Sequence, residues 1–490
     1  MTIGIDLGTT NSCAAVVIDG TAQVIPNIEG DRTTPSVISF MDNGNSATGN
    51  KAKKRRVSKP LDTVSSVKRF MGRKYTSVKG EFERLPYSFT CDADDNICVA
   101  IHGRRMTIPE VSSHVLSKLR SDVSERLHTE IVDAVITVPA YFNDAQREAT
   151  REAGRLAGLN VRKIISEPTA AALAYGKGGK NQTIAVYDLG GGTFDISILR
   201  IEDGTFRVLA TSGNTMLGGD DIDRRISDWI IRKGLEMTGE DLAEAFSNPV
   251  TKNGASYTMQ AVRDAAEKAK IELSAKDETI IDIPVYYNGK SIIGLKLTRK
   301  NLANMISYVT DQTFKCCDKA MQEAGNPKLD AVVLVGGSTK SPCVREAVSR
   351  YFHQECDTSI NPDEAVALGA AIQADMFERK ENTLRDVTPM DLGILSIDPY
   401  GYKKVITTII KANTPIPVRF RKPFRASKNN AQCRLDFPVM QGAGRIGSFS
   451  VDINRNDIVE VEFAIDADGI LTVTASNGKN EVHFVKKTAV

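Results

Sequence analysis

No Cys-x-x-Cys pair occurs among the eight cysteines, and apart from the adjacent Cys316 and Cys317 they are scattered along the chain. That spacing fits neither a zinc site nor a disulfide framework, and it points to free thiols in a reducing compartment. No apolar run approaches 18 residues, the length a membrane-spanning helix needs. No Gly-x-x-x-x-Gly-Lys-Ser/Thr loop is present, which excludes a P-loop enzyme. A surplus of one charge sign is missing too: 25 % of residues are charged, yet the net charge is only +2. No strong global field therefore favours nucleic acid or a membrane surface. Aromatic residues are few, at 6 %, with Trp229 the single tryptophan. The first strand begins at Ile3, which leaves no room for a signal peptide, and the expected location is the cytoplasm.

What is present is a pair of related turns. Asp6-Leu-Gly-Thr-Thr and Asp188-Leu-Gly-Gly-Gly-Thr each follow a short apolar strand (Ile3–Ile5, Ile184–Tyr187) and lead into another (Cys13–Ile18, Asp195–Leu199). A tight Gly/Thr turn between strands presents several backbone N–H groups together, which is how a loop holds phosphate oxygens. The aspartate before each turn adds a carboxylate for a hydrated cation beside those phosphates. One such turn is ordinary Asp/Gly turn chemistry. Two in equivalent settings predict a duplicated, two-lobed protein that clamps one polyphosphate between its lobes.

With 490 residues, a prior of ~150 per domain allows about three domains. Strand-like and helical runs alternate to about residue 380, the pattern of an α/β protein. Ile131–Val138 reads as a buried strand, Asn143–Gly158 as a helix capped by Asn143, Glu110–Leu127 as a helix, and Leu329–Val335 as a strand closed by Gly336-Gly337-Ser338. The polar stretch Gly239–Tyr257 reads as a surface insertion. After Glu378 the period changes to alternating strands (Lys403–Ile410, Val459–Ile465, Leu471–Ala475) separated by turns such as Asp468-Gly469 and Asn477-Gly478. The predicted layout is an α/β domain over 1–378, a polar junction over 379–386 and a β domain over 387–490.

Three further segments carry chemistry-bearing residues. Ser65–Gly72 offers Lys68, a cation able to reach a transferring phosphoryl group, though a lone lysine is commonly solvated. Ile164-Ile-Ser-Glu167 ends an apolar strand at Glu167, with Pro168 as the stop and Thr169 as candidate helix cap. A carboxylate at that edge suits metal or water positioning, or is simply favoured by the helix dipole. In the helix Val262–Ala275, Glu267, Lys270 and Ser274 share a face. With Gly336, Gly337 and Ser338 that face could hold a nucleoside, whereas alone Glu267 and Lys270 read as a surface ion pair. The basic run Lys51–Arg56 reads as a solvated loop, with a nucleic-acid patch as the alternative.

Taken in order, Ile3–Ser12, Val138–Asp144, Glu167–Gly176, Asp188–Asp195, Val335–Thr339 and Asn361–Ala365 resemble the 70-kDa heat-shock chaperones of the DnaK type over roughly 380 residues. The resemblance implies a two-lobed, actin-like ATPase domain followed by a smaller all-β sandwich. It implies ATP hydrolysed to ADP with Mg2+ and K+ in the cleft, slow turnover, and ATP acting as a conformational switch. By motif match, Asp6, Asp195 and Glu167 would organise the ions and the attacking water, and Lys68 and Thr193 would assist hydrolysis. Thr9, Thr10, Asn11, Gly190, Gly191, Gly192 and Thr193 would line the phosphates. Glu267, Lys270, Ser274, Gly336, Gly337, Ser338, Lys340 and Asp363 would surround the adenosine. The C-terminal stretch resembles the family's peptide-binding sandwich less closely, through Asp386–Ile394 and Val461–Leu471. Its implied pocket residues are Ile394, Ile397, Phe424, Cys433 and Leu435, each equally readable as sandwich core. Implied partners are extended polypeptide clients, a J-domain co-chaperone and a nucleotide exchange factor, with no nucleic acid or membrane.

Four departures qualify the resemblance. The family's helical lid has no counterpart before Val490, so lid-dependent trapping is expected to be absent. Asn382–Asp386 keeps only Leu384 of the usual leucine-rich linker, which predicts weak coupling. Lys340 replaces an adenine-stacking arginine and lacks its planar guanidinium. Ser166 and Lys163 replace residues tied to J-domain binding. The rival readings are a low-turnover, nucleotide-gated scaffold for one partner, and a sugar or acetate kinase on the same fold.

Overall fold

In the computed structural model, the strand Thr2–Asp6 turns back into Asn11–Ile18, and Gln182–Leu189 turns back into Phe194–Glu202 in the same way. The structure describes all residues except 83–84, 177–180, 380, 382–383, 398–402, 426–431, 455–456, 478–480 and 485–490. Each hairpin sits inside its own sheet. The first sheet runs in the order Asn160–Ser166, Asp133–Val138, Thr2–Asp6, Asn11–Ile18, Thr21–Val24; the second runs Ala331–Val335, Gln182–Leu189, Phe194–Glu202, Thr205–Asn214, Leu384–Arg385. In both, the strand leading into the phosphate-type turn has a parallel neighbour on one side and its antiparallel hairpin partner on the other. The duplication read from two short motifs is thus a duplication of sheet topology.

Separate apolar cores hold the two lobes. One gathers Ile3, Ile5, Ile38, Val115, Leu116, Ile136 and Val138; the other gathers Tyr187, Phe194, Ile226, Val262, Leu297 and Leu334. A third cluster joins them, combining Val135 and Ile165 with Val186, Val333 and the helices Glu167–Tyr175 and Ala365–Glu378. Those two helices cross at backbone contact, since a Cβ on Gly369 would lie 1.6 Å from the Ala170 carbonyl oxygen. Alanine-rich sequence here therefore serves close packing, which larger side chains would prevent.

Several sequence expectations change at this level. Gly239–Tyr257 is not a surface insertion: Asp241 caps a helix over Leu242–Ser247, and Leu242, Ala245 and Phe246 are buried in the second core. The next helix starts at Lys252 and runs to Glu272, ten residues earlier than the periodicity suggests. Thr169 is not a cap, because the helix already begins at Glu167 with Pro168 in its first turn, where a missing N–H costs nothing. Lys51–Arg55 is not a loop but lies in the helix Asn50–Arg55, which Arg56 follows as C-cap. Asn143 does cap its helix, with a reciprocal Asn143–Gln146 capping box.

The C-terminal strands form two four-stranded antiparallel sheets packed on a core of Leu392, Ile394, Phe437, Phe449, Val461, Phe463 and Val473. The sandwich is attached to the first lobe at the helix Asp144–Leu156. The Leu471 N–H donates to Asp144 Oδ1 (2.8 Å), Asp144 N–H donates to Gln441 Oε1 (3.1 Å), and Arg151 meets Asp468 at 2.6 Å. Leu384–Arg385 adds an edge strand beside Phe206–Arg207. Among the described residues, no helix is long and apolar enough to cross a membrane.

Candidate functional site

The two turns face one another across a cavity of about 760 Å³. Their approach is close: a Cβ on Gly191 would lie 1.9 Å from Thr10 Oγ1, so only glycine lets the second turn meet the first. Asp6, Thr9, Thr10, Asn11, Lys68, Glu167, Gly190, Gly191, Thr193, Glu267, Lys270, Gly336, Gly337, Ser338, Lys340 and Asp363 all line this one cavity. Gly192 lies in the same turn, where a Cβ would meet Thr9 and Arg69, and the Ser274 hydroxyl reaches back to the Lys270 carbonyl. Ser338 donates to the Gly190 carbonyl at 3.0 Å, which fastens the Gly336–Ser338 turn to the second hairpin.

At the floor of the cleft Lys68, on the short 3-10 turn Val67–Phe70, is ion-paired with Glu167; both are buried. Asp195 accepts from the Tyr141 N–H at 3.0 Å, and Asp6 accepts from Thr137 Oγ1 at 3.3 Å. Asp188, singled out by the turn pattern but absent from the motif-based assignment, lies buried on the same floor. Asp6, Glu167 and Asp188 line the cavity around the Lys68 ammonium group, with Asp195 a fourth carboxyl buried close by rather than on the lining. Burial, then the Glu167 charge, push Asp6 and Asp195 up to about 7, and burial with the same neighbours holds Asp188 well above its ordinary range. Burial alone would lower the Lys68 ammonium, but Glu167 and Asp6 prevail and keep it charged.

Four carboxyls to one ammonium group is the observation against which a cation must be tested: a bound cation would hold ionised the carboxyls that burial otherwise pushes up. Among the described residues no three His, Cys, Asp or Glu side chains close in far enough to cage a metal by themselves. A consequence concerns pH. Carboxyls raised in the folded chain bind protons that the unfolded chain has already lost, so stability falls as pH rises from about 4 towards 7 and stays low above it. The ligand-free chain should lose roughly 2–3 kcal/mol of stability between pH 5 and 8, read as a falling Tm, and Mg2+ with ADP should restore it. A ligand-free Tm that rises over that interval would contradict the floor's arrangement.

At the cleft's mouth, cations from the first lobe reach acids of the second. Lys53 meets Glu267 at 2.9 Å, and Arg56 meets Asp264 and Glu267, each at 2.6 Å. Burial would raise the Glu267 carboxyl, but Arg56 and Lys53 hold it down at about 2. Glu267, expected beside the adenosine, is therefore also one side of a latch between lobes. Sequence reading missed Lys53, Arg56 and Asp264 because a basic run gives no sign of partners some 200 positions away. Along the same cavity, Lys270 meets Asp223 at 2.7 Å and the more exposed Lys340 is paired with Asp363.

Of the residues proposed for a peptide pocket, the four described ones, Ile394, Ile397, Phe424 and Leu435, are not gathered into one opening. Ile394 is 1 % exposed within the sandwich core, and Phe424 and Leu435 pack against the same core; Ile397 alone stands out, at 61 % exposed. Alternation places Ile394 and Ile397 on opposite faces of one strand, and the Cys433 side chain lies outside the described residues. Ser166, expected on an open co-chaperone surface, is buried, and Lys163 is half-buried beside Asp468 and Asp386, its ammonium lowered chiefly by burial.

The family model described as Hsp70 protein matches residues 2–488 of this chain.

Proposed function

The chain belongs to the Hsp70 family, and from that membership and the cleft's geometry we propose that it hydrolyses ATP slowly to ADP and phosphate. In this reading the nucleotide state controls how the C-terminal sandwich holds extended apolar segments of unfolded polypeptides. Members of the family are ATPases that bind ATP or ADP with Mg2+ and act on unfolded clients with co-chaperones. The observation that carries the reading is the facing pair of turns over a floor of four carboxylates and one lysine.

Backbone N–H groups and hydroxyls of Thr9, Thr10, Gly190–Gly192 and Thr193 would hold the phosphates. Asp6, Asp195 and Glu167 would hold Mg2+ and K+ through their waters. Bound Mg2+ supplies charge neutralisation at the phosphate oxygens. Lys68, kept cationic by its carboxylate neighbours, would stabilise charge on the transferring group, and Glu167 or Asp195 would orient the attacking water. Glu267, Lys270, Ser274, Gly336–Ser338, Lys340 and Asp363 would surround the adenosine. The proposed division is an ATPase domain over 1–378, a junction over 379–386 and the sandwich over 387–490, with contact through Asp144, Arg151 and Leu384–Arg385.

The test is ATP hydrolysis with and without an extended apolar peptide. Slow hydrolysis accelerated severalfold by peptide is the expected result. Nucleotide binding without turnover, together with no binding across a peptide array, would instead support the scaffold reading.

A further inference from the structure

Arg69 follows Lys68 on the same 3-10 turn but turns to the other lobe. Its Nη2 meets Asp221 Oδ2 at 2.5 Å, its Nε lies 3.7 Å from Asp220 Oδ2, and the Arg69 and Asp221 side chains are both under a tenth exposed. Asp221 stands in the first turn of the helix Gly219–Thr238 and also accepts from the Gly218 N–H at 2.9 Å and from Arg224 at 2.8 Å. That helix start is bonded directly to the second phosphate turn. Gly219 N–H donates to the Gly190 carbonyl (2.9 Å), and Asp220 N–H donates to the Gly191 carbonyl (2.7 Å). Arg69 therefore connects the turn carrying Lys68 to the loop expected to hold the phosphates, across the gap between lobes.

We infer that Arg69 is a positioning residue: its ion pair with Asp221 fixes Lys68 against the second phosphate turn only when the lobes are closed, and so ties hydrolysis to closure. This deepens the ATPase reading and rests on it. Lys68 has two anchors, Glu167 within its own lobe and Asp221 through Arg69. Without the second anchor the Val67–Phe70 turn is held to one lobe alone, and Lys68 no longer follows the phosphate turn. Misplacement of a catalytic group by about 1 Å is costly in rate. A planar guanidinium suits this strut because it fixes direction as well as charge. Its Nε, buried and without a hydrogen-bond partner, leaves the group held by one strong contact at Asp221.

The experiment compares Arg69→Met, Arg69→Lys and Asp221→Asn in the full chain, each also combined with Lys68→Ala. Hydrolysis of pre-bound ATP is followed in a single turnover. Arg69→Met should slow it about tenfold, with Arg69→Lys intermediate, and either change should alter the rate less than twofold once Lys68 is alanine. Effects that persist undiminished in the Lys68→Ala background, or no slowing by Arg69→Met, would overturn the inference. A second readout needs no ATP: mass-spectrometric amine labelling of Lys68 should quicken about tenfold in Asp221→Asn and Arg69→Met. Unchanged labelling would count against the strut. Faster labelling in a chain whose unsubstituted form never hydrolyses ATP would leave the strut standing and remove the ATPase reading instead.

Discussion

Lys68→Ala should lower single-turnover ATP hydrolysis by about 10²–10³-fold, or some 2.7–4 kcal/mol of transition-state stabilisation, while ATP still binds. The expectation follows from what surrounds the ammonium group. Lys68 lies on a floor that also holds Asp6, Glu167, Asp188 and Asp195, and it is buried with them. A lysine solvated at the surface would have little leverage; here its charge acts in a region of weak screening. Most contacts to the nucleotide would come from the two turns and the Gly336–Ser338 segment, which the substitution leaves in place. The ligand-free variant should also be less stable, because Glu167 loses the partner that compensates its burial. Measuring ATP affinity beside the single-turnover rate separates the two effects. Hydrolysis at the unsubstituted rate in a folded Lys68→Ala chain would remove Lys68 from the chemistry.

Asp144→Ala should loosen the sandwich from the first lobe by about 2–3 kcal/mol, a shift of roughly 30- to 150-fold in the docked population. Asp144 is buried, accepts the Leu471 N–H and sits in the first turn of its helix, where a negative charge is favoured. Its loss leaves a strand N–H without this acceptor at the contact. The neighbouring Arg151–Asp468 pair (2.6 Å) is more exposed and contributes less. Amide exchange at Leu384 and Arg385, the edge strand that pairs with Phe206 and Arg207, reports the docked state. Exchange there should accelerate at least tenfold in Asp144→Ala, with Asp144→Asn intermediate because it keeps an acceptor. Exchange unchanged by Asp144→Ala would show that this contact does not hold the domains together.

Local features of the fold were readable because their causes are local. Asn143 caps its helix through contacts within four residues, and Gly/Thr turns form hairpins through their own backbone preferences. The same locality explains two errors. Gly239–Tyr257 looked like a polar insertion because the apolar residues that face the core, Leu242, Ala245, Phe246 and Ala255, are too few and too unevenly spaced to show a period. Lys51–Arg56 looked solvated because the acids that hold it lie on the other lobe.

By itself the sequence determined the two Gly/Thr turns and the switch from helical to alternating period near residue 380, and it singled out Lys68 and Glu167 as candidates for the proposed chemistry. These depend on backbone preferences and short-range periodicity, which operate between neighbours along the chain. Only the tertiary structure decided that Gly191 meets Thr10, that Lys53 and Arg56 latch onto Glu267, that Arg69 reaches Asp221, and that Ile394 belongs to the core. Those outcomes join residues up to some 200 positions apart, and burial and charge pairing depend on which surfaces the folded lobes bring together.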